Sequence, residues 1–123
     1  MPARAALPLP RSRRVKQGRD FARLKAQGRR SVRGCLVANW MENAAGQPSR
    51  VGVITTKKIG NAVVRSRARR LLREAFRRNQ LVLKQPLDLI LVARNSIVGK
   101  RLADVEADYL TVLRQARLLI EPA

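Results

Sequence analysis

The chain has 123 residues, 46% of them apolar, with 27 Lys/Arg against 8 Asp/Glu for a net charge of +19. That length suits one domain, and an excess so far beyond the about 2–8 charges that keep a small domain soluble implies a polyanionic partner, nucleic acid above all. A single cysteine (Cys35) and no histidine exclude an internal disulfide and an ordinary zinc site and suit a reducing cytoplasm, while no run approaches the ~18 apolar residues of a membrane span.

Residues 1–14, punctuated by Pro2, Pro8 and Pro10, lack the ordered parts of a signal peptide and are expected to form a flexible basic arm ahead of a domain over 15–120. Arg11, Arg13, Arg14, Lys16 and Arg19 belong to a segment that would order on RNA. Gly18 to Gly28 reads as a short helix, with Phe21 and Leu24 on one side and Gly28 as its stop. Arg33 to Met41 reads as a strand, with Cys35 as a small buried residue in it. The turn cluster NAAGQPS leads to a second strand, Arg50 to Thr56, paired with the first as a hairpin.

Asn61 is placed to cap a helix from Ala62 to Asn79. At 100° per residue Val64, Ala68, Leu71, Leu72, Ala75 and Phe76 share one arc, and Val63 is grouped with this core. Arg65, Arg69, Arg73 and Arg77 recur at i, i+4 along the adjoining arc, flanked by Arg67, Arg70 and Arg78. Between Lys57 and Asn79 nine Lys/Arg meet one acid, Glu74. Stacked like charges cost about 0.2–0.5 kcal/mol per pair, nothing local offsets them, and a bound polyanion is the expected compensation. Pro86 introduces a third strand, Leu87 to Ala93, apolar enough for burial on both faces. A last helix over Leu102 to Leu119 carries the stripe Leu102, Val105, Tyr109, Val112, Leu113, Ala116 and Leu119. The order α-β-β-α-β-α is that of a single-domain α+β layer, with helices packed on a small sheet. The field is lopsided, because residues 1–80 hold 21 of the 27 cations and three of the eight acids.

The segment KKIGNAVVRSRARRLLREAF resembles the signature of the bacterial ribonuclease P protein component, roughly K-K-x-G-N-A-V-x-R-N-x-x-K-R-x-x-R-E. Lys57, Lys58, Gly60, Asn61, Ala62, Val63, Arg65, Arg70, Arg73 and Glu74 match, with Arg69 at a lysine position. GRDFARL is similar to the family's S-R-D-F-x-x-V-F, and LDLILVAR to its D-I-V-V-I-A-R, so the likeness runs from about residue 11 to 119. Ser66 stands in place of an asparagine and Lys25 in place of a second aromatic. The resemblance implies an α/β sandwich with a left-handed β-α-β crossover around the arginine helix. It also implies a cytoplasmic ribonucleoprotein that removes 5′ leaders from precursor tRNA, with the chemistry and its Mg²⁺ held by a catalytic RNA. Lys57, Lys58, Asn61, Arg65, Ser66, Arg67, Arg69, Arg70, Arg73 and Arg77 would then meet RNA, and Phe21, Lys25 and Trp40 would line a cleft for the leader.

The residues themselves supply no nuclease site. General-base work usually needs histidine and metal-dependent hydrolysis clustered carboxylates, whereas Asp104, Glu106 and Asp108 at the start of the last helix complement its dipole. A structural RNA-binding protein of the ribosomal kind is the alternative. Duplex DNA lacks helix-turn-helix support, and a membrane surface is disfavoured because Leu71, Leu72 and Phe76 are committed to a core.

Overall fold

The computed structural model describes residues 18–43 and 48–120, so the arm over 1–14 lies outside the described residues. In chain order the elements are α1 (Gly18–Gln27), β1 (Arg29–Arg33), β2 (Leu36–Glu42), β3 (Arg50–Ile54), α2 (Ala62–Arg78), β4 (Leu87–Ala93) and α3 (Leu102–Gln115). The expected order holds with one strand added. β1, of sequence RRSVR, hides neither face, so it offers no apolar alternation to read. It joins β2 through Gly34 and Cys35, with Gly34 at φ 54 in the position where a type II′ hairpin takes glycine.

The expected hairpin between residues 33–41 and 50–56 does not form. β4 inserts between those strands, antiparallel to β2 and parallel to β3, and the sheet runs β1-β2-β4-β3. The physical reason is that LDLILVA, buried on both faces, gains a partner on each edge at the centre of the sheet. Asp88 fixes the register, accepting from Arg50 Nε at 2.9 Å and Nη2 at 2.7 Å beside its sheet partner.

Alternation sorts the sheet into two faces. Leu36, Ala38 and Trp40 share one with Leu89, Leu91, Ala93 and Val51, and there they meet Ala68, Leu72 and Phe76 of α2 and Val105, Tyr109, Val112 and Leu113 of α3. On the opposite face Val37 and Ile90 are buried where α1 packs on β2 and β4, and Leu24 of α1 is buried as well. Val63, expected in the core, is 77% exposed. It lies ~80° outside the apolar arc of α2, so the helix turns it to solvent.

Candidate nucleic-acid interface

α2 begins where the chain leaves the sheet. After β3 a short turn, Lys57–Ile59, buries Ile59 and leaves Lys57 and Lys58 exposed. Gly60 follows at φ 153, where an added Cβ would stand 3.2 Å from the Val64 side chain. Asn61 then caps the helix: its Oδ1 accepts from Val64 N at 3.0 Å. The first turn of α2 contains no acid, so its free N–H groups, its dipole and the two lysines add up to one electropositive end.

The arginines that follow are held in place by uncharged acceptors. Arg69 Nη1 donates to Thr55 Oγ1 at 2.7 Å and its Nη2 to Ser66 Oγ at 3.1 Å, while Arg67 Nη2 donates to the Lys100 carbonyl at 2.7 Å. Such bonds fix the forks and leave their charge intact. Arg65 falls between Leu72 and Phe76 on the helical wheel, and this is why its Nε is buried. That donor has no acceptor among the described residues, a deficit that ordinarily costs about 1–3 kcal/mol. Arg70 is exposed and Arg73 half-buried. The C-terminal end differs. Arg77 grips both oxygens of Glu74 at 2.5 and 2.7 Å and holds that carboxyl below its usual range by the hydrogen bond, and Arg78 Nε lies 3.3 Å from Glu106. The helix therefore does carry a local offset at its end, contrary to expectation. Its uncompensated surface is the stretch from Lys57 to Arg70, in which no residue pairs with a carboxylate among the described residues.

The Ribonuclease P family pattern matches residues 9–117. The chain belongs to the ribonuclease P protein family. The ribonuclease P protein component of Clostridium novyi (strain NT) is 33% identical over 111 residues, covering 89% of this chain and 98% of that protein. That of Gluconacetobacter diazotrophicus is 37% identical over 109 residues, 86% and 92% of the two chains. The ribonuclease P protein of Staphylococcus aureus aligns in three dimensions with a TM-score of 0.78 at 26% identity, over 88% of this chain and 98% of its own. Family membership gives the chain the role of protein subunit in a tRNA-processing endoribonuclease.

Within this ribonuclease P protein fold the candidate leader cleft loses one member. Trp40 is 7% exposed and belongs to the core beneath α2 and α3, on the sheet face opposite α1. In LVANW both alternating sets begin apolar, so the face taken by the indole was not readable from sequence. Phe21 and Lys25 lie on α1, but their side chains fall outside the described residues.

The acids of α3 serve structure. Asp104 Oδ2 accepts from Arg101 N at 3.0 Å, Glu106 accepts from Asn79 Nδ2 at 2.8 Å, and Asp108 Oδ2 accepts from Cys35 N at 2.9 Å. Among the described residues there is no cluster of three or more Asp, Glu or Cys that could hold a metal ion. Burial, and then Asp108, push the Cys35 thiol up to about 12, which makes it a poor nucleophile. No helix among the described residues is long and apolar enough to cross a membrane. Thr55 and the Lys100 carbonyl, which aim Arg69 and Arg67, carry no sequence signal. The burial of Arg65 does, in its wheel position.

Proposed function

We propose that this chain acts in the cytoplasm as the ribonuclease P subunit that binds the catalytic RNA through the start of α2 and the 5′ leader of precursor tRNA through the sheet face beneath α1. The catalytic RNA and its substrate hold the Mg²⁺ and perform the hydrolysis. The protein lowers phosphate repulsion so that the two RNAs approach and divalent ions bind at lower concentration. One observation supports this reading above others: the Arg65 donor, buried and without an acceptor among the described residues, sits in a ridge of forks fixed by neutral acceptors. A phosphate oxygen supplies both the missing acceptor and the missing charge. Phe21 is the residue proposed to stack a leader base, a contact commonly worth about 1–3 kcal/mol.

Salt-dependent binding tests the ridge. Arg69→Ala and Arg73→Ala should each weaken binding to catalytic RNA and lower the slope of log K against log salt by about one unit or less. Unchanged slopes would mean that these side chains contribute no phosphate contact. Retention on ribosomal subunits at high salt, with no affinity for catalytic RNA, would replace this reading with the ribosomal one.

A further inference from the structure

A groove of about 590 Å³ opens at the end of the sheet opposite the start of α2, where the end of β2 meets the ends of α1 and α3. Arg29, Lys84 and Arg117 stand exposed around it, with Trp40 and Leu118 buried beneath. The one acid in its wall, Glu42, accepts a hydrogen bond from Gln85 at 2.9 Å. None of the three cations pairs with a carboxylate among the described residues.

Arg117 is the informative member. α3 closes in a Schellman turn, with Leu118 N donating to Leu113 O at 2.9 Å and Arg117 N to Arg114 O at 3.0 Å. This turn puts Arg117 at the left-handed position just past the helix cap, at φ 60, and it is the one non-glycine residue with positive φ among those described. Glycine is the residue that suits that position; any larger residue is strained there. Backbone strain held at a charged groove is a pointer to function. A glycine would stop the helix better, but it would remove a planar fork from the mouth of the groove.

The geometry points to a second RNA-binding groove, in which Arg117, Lys84 and Arg29 take the phosphodiester backbone of a single-stranded segment. The volume suits a nucleotide-sized group, since small-ligand sites span about 300–1,000 Å³. The inference rests on the RNA-binding reading above but uses none of the same side chains. Two RNAs could supply the backbone, the leader of precursor tRNA or the catalytic RNA.

The test is binding of the full chain, over a salt series, to precursor tRNA with a long leader, to the same tRNA without a leader, and to catalytic RNA. The variants are Arg117→Gly, Lys84→Gln and, as a control on the ridge, Arg69→Ala. Arg117→Gly should raise the Tm by about 2–4 °C while lowering the salt slope by about 0.7. Lys84→Gln should lower the slope similarly without the gain in Tm. Loss confined to the leader-bearing RNA assigns the groove to the leader; loss on catalytic RNA assigns it there. If Arg69→Ala weakens binding and both groove variants bind as the parent does, the second groove is refuted and the ridge stands. If none of the three weakens binding, both are refuted.

Discussion

Arg65 and Tyr109 present the same chemical situation with opposite meanings. Each has a buried polar atom without a partner among the described residues. Arg65 as a residue is half-buried on α2 and keeps part of its surface in solvent, whereas Tyr109 is fully buried in the core between α3 and the sheet. An unsatisfied hydroxyl there only subtracts from stability, and burial pushes its phenol far above the usual range. Tyr109→Phe should therefore raise the unfolding free energy by about 1 kcal/mol without changing RNA affinity; a loss of stability measured by urea unfolding would show that the hydroxyl is bonded. Cys35 sets a pH dependence. Its folded value is raised from 9.0 to about 12, so its contribution is complete below pH 9 and is lost as pH rises from there towards 12. Across that window Cys35→Ala should lose less stability than the parent protein, and equal losses in the two would contradict the burial of the thiol.

For the elements, sequence served best where a local pattern decided the outcome. Asn61 as a cap, the span of α2 and the limits of β4 all follow from capping chemistry and apolar period. β1 carries no such pattern, because RRSVR buries neither face, and the partner of β3 lies beyond α2 in sequence. Pairing across such a distance leaves no local trace. The interface divides in the same way: the arginine spacing was legible, but the pairing of Arg77 with Glu74 and of Arg78 with Glu106, which splits α2 into an open half and a neutralised half, was only partly so. Glu74 lay one turn from Arg77 in plain view, whereas Glu106 comes from another helix. Removing the carboxylate offers a test at this scale. Glu74→Gln should release Arg77 to phosphate and steepen the salt slope for catalytic RNA by up to about 0.9. A slope identical to the parent's would place Arg77 outside the interface.

Across the whole molecule, charge and fold reinforce one another. β4 at the centre of the sheet lets β3 deliver the chain to α2 with Thr55 beside Arg69, and the connection from β4 to α3 presents the Lys100 carbonyl to Arg67. Acids of α3 are drawn into structural bonds, leaving a surface of fixed positive charge from Lys57 to Arg70. In the proposed function, that surface lets two polyanions meet. The most direct measurement is cleavage of precursor tRNA by a cognate catalytic RNA across a Mg²⁺ titration, with the parent protein or an Arg65→Ala/Arg69→Ala variant. The parent protein should restore 5′ cleavage at low Mg²⁺, and the variant should require more Mg²⁺ for the same rate. Equal restoration by both, or cleavage by the protein without the catalytic RNA, would contradict the account.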